Sequence, residues 1–299
     1  MNKKTMSIST VDDLLATTVT MYGFYPSESV VVMAMRGNNP LFCGRLDLSE
    51  MDTTPNQLVD AIHTNDVTEI IVLVYTEQDP HAIARKVAAF VAHFEVDMLH
   101  FLVTDAATAW HAADDGSIYD AQPVDLRSST PVLSALYEDH TIHQSRDDVV
   151  AAMRPAADRS ALADEEPDAL AELQEQHPTS EARYEFTRNL LARVSALTMA
   201  EALQAVAGVH EHIGALIDTM TRDEASQWLP RLIEIRRNAL DEAEGDAVAI
   251  MAWAAWLSGG GAALTESHEQ LRNVDPDHEL VPILDAILTR GIDPKTWRP

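Results

Sequence analysis

Polar side chains border two predicted strands near the start of the sequence, and these residues could form a binding site. Glu28 and Ser29 precede an apolar run, and Arg45 and Asp47 alternate along the next run. Guanidinium and carboxylate groups bind polar metabolites through charge-assisted hydrogen bonds, and α/β proteins bind ligands at strand ends. The alternative is that Arg45 pairs with a neighbouring carboxylate and only stabilises the sheet edge. The predicted ligand-binding residues are Glu28, Ser29, Arg45, Asp47 and Arg146.

Two pairs of histidines have a spacing that a metal site could use. His140 and His143 are three residues apart, and His210 and His212 flank Glu211. The residues around the first pair favour extended structure, and a helix would turn the rings of the second pair away from each other. Surface or capping histidines are the favoured interpretation. We therefore expect no metal and no other cofactor.

The common catalytic motifs do not occur in this sequence. The glycines Gly259–Gly261 follow a predicted helix and lack the lysine and hydroxyl residue of a phosphate-binding loop. A nucleophile elbow is also missing. The single cysteine, Cys43, lies in an apolar run, where a small buried side chain is favoured over a nucleophile. These features favour a noncatalytic protein, although they leave an enzyme open as the alternative.

The composition limits the class of partner. The chain has 299 residues, 46% of them hydrophobic, and a formal charge of −27 from 48 acidic and 21 basic residues. This charge opposes direct binding to nucleic acid or to anionic lipid. No segment approaches the roughly 20 apolar residues of a membrane span, and no signal peptide is recognisable. We expect a cytoplasmic protein.

The first half of the chain has the pattern of an α/β domain. Short β-branched runs alternate with helical segments, and the most continuously apolar run, Glu69–Tyr75, belongs in the centre of a sheet. A helix from Pro80 joins it to the next strand, which predicts a parallel pair. Residues 114–131 have an irregular, polar composition. The predicted strands are Val30–Met35, Leu41–Leu48, Glu69–Tyr75, Val96–Val103 and Ala109–His111.

The second half of the chain is predicted to be all-helical. Two capping boxes, Thr198–Glu201 and Thr221–Glu224, begin amphipathic segments, and the pattern predicts packed helical hairpins. Between the two halves lies a segment rich in Ala, Asp and Glu, which is either an acidic linker or an exposed helix. The predicted domains are an α/β domain at 1–155, this acidic segment at 156–178 and a helical domain at 179–299.

Several motifs along the chain resemble a known family. Gly23–Val32 followed by Gly44–Leu48, then Gln144–Arg146, Ala252–Trp256 and Gly291–Trp297, are similar to segments of an actinobacterial family of unknown function, DUF4192. The resemblance extends over essentially the whole chain. It implies an actinobacterial cell or one of its phages as the source and a cytoplasmic location, and it implies no activity or cofactor.

The sequence thus favours a noncatalytic interaction or regulatory protein whose helical half binds a protein partner. One alternative is an enzyme or sensor for a small polar metabolite, with a cleft at the sheet edge. Another is an acidic, phage-encoded inhibitor that occupies a nucleic-acid-binding host protein. The oligomeric state stays open, and a homo-oligomer is among the alternatives.

Overall fold

The computed structural model describes residues 10–37, 39–51, 55–137, 141–156, 159–240 and 242–299. This described part of the chain divides into two compact units. The first unit comprises Met1–Arg146 with Thr289–Asp293, and the second comprises Asp147–Leu288 with Pro294–Pro299. The predicted domain boundaries at residues 155 and 178 differ from this division, because residues 147–178 are grouped with the second unit.

The first unit contains a mixed sheet. Within the described residues it has six strands in the order β2-β1-β3-β4-β5-β6, in which only β3 and β4 are parallel neighbours. This confirms the predicted partly parallel sheet. The strands are β1 Ser29–Arg36, β2 Asn39–Asp47, β3 Glu69–Tyr75, β4 Asp97–Thr104, β5 Thr108–Ala112 and β6 Ile118–Pro123, and the helices are α1 Val11–Tyr22, α2 Pro55–Thr64, α3 Pro80–Val91 and α4 Thr130–Tyr137.

Both faces of the central strands are buried, as the apolar runs predicted. Val30 and Val72 point to one face, where they pack with Ile62 of α2 and Val87 of α3. On the other face the core includes side chains of α1 and α4, among them Leu15 and Val132, together with Val31 and Leu73. The sheet is therefore flanked by helices on both sides.

Helix α1 is capped at both ends. The hydroxyl of Thr10 accepts a hydrogen bond from the amide of Asp13 at 3.0 Å, which caps the first turn. Gly23 ends the helix in the left-handed conformation, with φ of 72°. These two caps fix where the following loop enters the sheet.

The sequence suggested that the polar segment after β5 is irregular, but part of this segment forms a strand. Residues Ile118–Pro123 form β6, which pairs antiparallel with β5. Most of β6 is exposed, so it lacks the alternation of apolar and polar residues that marks a half-buried strand. Pairing with β5 overrides this weak local signal.

The rest of the chain is helical. The two predicted capping boxes are present, at Thr198 with Glu201 and at Thr221 with Glu224. Consecutive helices from α7 to α11 pack against one another. The helices are α5 Arg146–Met153, α6 Ser160–Gln176, α7 Ser180–Ala192, α8 Met199–Thr219, α9 Arg222–Asn238, α10 Glu242–Ser258, α11 Gly261–Val274 and α12 Val281–Arg290.

The acidic segment forms helix α6, one of the two structures that its composition allowed. Leu162 and Ala169 form a buried cluster with Leu203 of α8, and Leu173 of α6 is also buried. The amide of Gln204 adds a hydrogen bond to the carbonyl of Ala169 at 3.2 Å. The charged side of α6 stays exposed. Among the helices of the described residues, none is long and apolar enough to cross a membrane.

Candidate functional site

Three of the predicted ligand-binding residues lie together where β1 pairs with β2. Ser29 is the register partner of Asp47, and Arg45 is two residues before Asp47 on the same face. The guanidinium of Arg45 donates to Asp47 Oδ1 at 2.6 Å and lies 5.7 Å from the centre of the Phe24 ring. Arg45 and Asp47 therefore form the ion pair that the sequence suggested as the alternative to ligand binding.

Glu28 is close to these residues, but its carboxylate is already engaged. It accepts hydrogen bonds from the backbone amide of Glu77 and the side-chain amide of Gln78, both at 2.6 Å, and from the hydroxyl of Thr76 at 3.2 Å. Glu28 also has a φ of 41°, an uncommon conformation for a residue other than glycine. The side chain of Glu28 therefore fixes the position of the segment that follows β3.

The remaining polar atoms of this cluster have little room for a ligand. Ser29 is fully buried, and among the described residues neither its Oγ nor the Nε of Arg45 has a hydrogen-bond partner. Arg146 begins α5, and no described hydrogen bond or ion pair joins it to the other four residues. A ligand would reach Ser29 only if the surrounding chain moved. Ligand binding by these five residues stays a prediction.

Cys43 lies in β2, half-buried by exposed area, and it contacts the hydroxyl of Tyr22, which donates to its sulfur at 3.4 Å. Burial raises the pKa of the Cys43 thiol to about 12, against the smaller opposing effect of the Tyr22 hydrogen bond. At neutral pH the group is a thiol, and a thiolate is the nucleophilic form.

The histidines of the two predicted pairs have separate environments. His140 lies outside the described residues, and the backbone of His143 forms an isolated bridge with Phe24. On α8, the ring of His212 packs edge-on against Tyr184, whereas His210 Nδ1 lies 2.5 Å from Asp246 Oδ2. The two rings of the second pair therefore contact different groups.

Asp246 brings His210 close to a third histidine that the sequence had not singled out. Nε2 of His278 lies 3.1 Å from Asp246 Oδ1, and Nδ1 of His278 accepts the amide hydrogen of Leu280 at 3.1 Å. The proton of neutral His278 is therefore on Nε2, which leaves no lone pair there for a metal. Among the described residues, no group of three or more His, Cys, Asp or Glu side chains is placed to hold a metal ion.

A groove lies between α6, α7 and α8 in the second unit. Its volume is about 440 Å³. The guanidinium of Arg183 at its wall donates two hydrogen bonds to Glu211, both at 2.6 Å, and a third to the carbonyl of His177 at 3.1 Å. The apolar lining residues are Leu170, Leu173, Pro178 and Ala207, and the polar ones are Gln174, Arg183 and Glu211.

Helix α6, which forms one side of the groove, is strongly acidic. It has six carboxylates and no basic residue, and within the described part of the chain none of the six pairs with Lys or Arg. Glu166 lies one turn before Leu170 and thus on the same side of the helix as the groove. The carboxylates are those of Asp164, Glu165, Glu166, Asp168, Glu172 and Glu175.

A second cavity, of about 290 Å³, lies in the first unit beside β4. The residues that line it include His100, His111, Asp114 and Tyr119. The rings of His111 and Tyr119 stack with their centres 5.8 Å apart. Sequence reasoning had assigned no function to these residues. Single histidine, aspartate and tyrosine residues of this kind are too common in sequences to predict a site.

The structure thus defines a two-unit protein, with a mixed sheet in one unit, packed helices in the other and a cavity in each. The chain belongs to the family described as Domain of unknown function (DUF4192), whose family model matches residues 12–295. This confirms the resemblance of the sequence motifs to that family. No curated protein and no solved structure matches the chain.

Proposed function

We propose that this protein is a noncatalytic, cytoplasmic interaction protein whose second unit binds a basic segment of a protein partner. The groove between α6, α7 and α8 is the observation that carries the proposal. The groove has an apolar floor and an acidic border. Together these properties favour a partner segment in which an apolar residue is flanked by basic residues.

The floor of the groove fits an apolar anchor residue. Leu170 on α6 and Ala207 on α8 are only partly buried, so they offer apolar surface to a partner. Burial of one leucine-sized side chain there contributes about 1.5–3 kcal/mol to binding. Helical partners commonly use such anchors in grooves between helices.

The charge around the groove favours a basic segment around that anchor. Arg183 is neutralised by Glu211, so none of the described residues that line the groove offers a free cation to an anionic ligand. The exposed carboxylates of α6 attract Lys and Arg side chains, and the chain as a whole carries a charge of −27. Such complementarity increases the rate of association and selects against acidic partners.

Two observations support a noncatalytic protein. Cys43 is held in the thiol form by burial, and the carboxylate of Glu28 is occupied by hydrogen bonds from its own chain. Neither group is placed to act as a nucleophile or a general base.

Affinity capture with matched variants tests the proposal. Ala207→Arg fills the groove and adds a positive charge, whereas Ala196→Arg makes the same change in an exposed loop of the same unit. We expect the wild-type protein and the Ala196→Arg variant to recover a partner with a Lys- or Arg-rich segment, and Ala207→Arg to lose it. Recovery of the same partner by both variants, with both still folded, would contradict the proposal.

The alternative of an acidic, phage-encoded inhibitor makes a different prediction for the captured partner. The exposed carboxylates of α6 would then stand in for nucleic-acid phosphates. In that case DNA would compete with this protein for the partner and the Ala207→Arg variant would still bind the partner, whereas a partner anchored in the groove would be lost by that variant.

A further inference from the structure

The cavity beside β4 exists because two neighbouring strands separate. β4 pairs with β5 over Leu102–Thr104 only. Its first half, residues 97–101, pairs with β3 on one side and borders the cavity on the other. The opposite wall is the end of β5 and the two residues after it, residues 111–114. The cavity is a slot between strands.

The slot offers polar groups on its walls and rings on one face. Alternate backbone amides and carbonyls of a strand point toward each neighbour, so the first half of β4 presents such groups to the slot. His111 is the register partner of both Leu102 and Tyr119, which places His111, Tyr119 and also His100 on the same face of the sheet. Tyr119 is 52% exposed, so its ring is available to a ligand.

The size and charge of the slot narrow the class of ligand. A volume of about 290 Å³ is at the lower end of small-molecule sites, which suits one or two fused rings. None of the described residues that line the slot is Lys or Arg, and Asp114 contributes a carboxylate. A phosphate group would meet neither Lys nor Arg among these residues, and it would be repelled by Asp114.

We propose that this slot binds an uncharged planar heteroaromatic molecule of the nucleoside class. The edge of the base hydrogen-bonds to the backbone of the first half of β4, and its face stacks on the Tyr119–His111 pair. Backbone groups provide both donors and acceptors, which matches the edge of a nucleobase. Stacking on aromatic side chains is the usual way in which proteins hold a base.

Calorimetric titration of the full-length protein tests this inference, with adenosine, guanosine, cytidine and uridine as probes. We expect at least one nucleoside to bind with a Kd below about 1 mM. Tyr119→Ala and His111→Ala are each expected to weaken that binding by about fivefold or more, as is typical of the loss of a stacking partner. The 5′-monophosphate of the same nucleoside is expected to bind more weakly than the nucleoside.

A matched control is Tyr137→Ala, because Tyr137 is 90% exposed on α4 and does not line the slot. This variant should bind the nucleoside as the wild type does. Amide resonances of residues 98–101 should shift on binding. The inference is overturned if no nucleoside binds, if the Tyr119→Ala variant binds like the wild type, or if the monophosphate binds more tightly than the nucleoside.

Discussion

A glycine at the crossing of α7 and α8 sets the spacing of the helices that form the groove. A Cβ atom added at Gly208 would lie 1.8 Å from Thr187 Oγ1 and 3.0 Å from Thr187 Cβ. Thr187 is fully buried, and its hydroxyl donates to the carbonyl of Arg183 at 2.8 Å. Rotation about χ1 of Thr187 leaves its Cβ in place, 3.0 Å from the added carbon, so a change of rotamer does not remove the close contact. The Gly208→Ala variant must therefore push α7 and α8 apart.

The expected cost follows from two opposing effects. Overpacking a buried contact costs typically 1–3 kcal/mol, and so close an approach falls in the upper part of that range, about 3 kcal/mol. Alanine in a helix gains about 1 kcal/mol over glycine. We expect the free energy of unfolding of the second unit to fall by about 2 kcal/mol in Gly208→Ala.

A glycine farther along α8, two residues after a kink at His212, provides the control. A Cβ added at Gly214 meets no atom within 4 Å, so Gly214→Ala should raise the free energy of unfolding by about 0.5–1 kcal/mol. Urea unfolding followed by tryptophan fluorescence is the assay, because four of the five tryptophans lie in the second unit, namely Trp228, Trp253, Trp256 and Trp297. If Gly208→Ala were as stable as the wild type, or if both variants lost stability equally, the assigned packing of α7 on α8 would be wrong.

Three further predictions concern titratable groups. Because its pKa is about 12, Cys43 should resist alkylation at pH 8 in the native protein and react after unfolding in urea. Burial alone would raise the pKa of Asp246. Hydrogen bonds from His278 and His210 outweigh burial and hold the pKa of Asp246 below its ordinary value. Its contribution to stability is therefore present at neutral pH and is lost as the pH falls through the carboxyl range, so between about pH 5 and pH 3 wild-type stability should fall more than that of Asp246→Asn. Glu244→Ala should lower the free energy of unfolding by about 3 kcal/mol. Arg236 pairs with Glu244 at 2.9 Å and its side chain is 2% exposed, so the variant would leave a buried charge without this partner. A loss below about 1 kcal/mol in urea unfolding would contradict this prediction.

Elements with strong local signals could be predicted from the sequence. The continuous apolar run of β3 gave its position and its place inside the sheet, and the capping boxes at Thr198 and Thr221 gave the starts of α8 and α9. In each case the position of the element is determined mainly by residues that are adjacent in the sequence. The two-part architecture followed from these elements.

The candidate sites could be predicted only in small part. The alternation of Arg45 and Asp47 placed both side chains on one face, and they do meet. The groups that engage Glu28 come from the segment after β3, some 50 residues later, and no local pattern predicts such a contact. The groove likewise depends on how α6 packs against α8, and the slot depends on where β4 and β5 separate.

A photo-crosslinking amino acid at position 207, with position 196 as the control, tests the central claim most directly in cells of the source organism. Mass spectrometry of the crosslinked peptides would identify the occupant of the groove. We expect a crosslink from position 207, and none from position 196, to an apolar residue flanked by Lys or Arg. Crosslinks from position 196 alone, or from position 207 to an acidic segment, would contradict it.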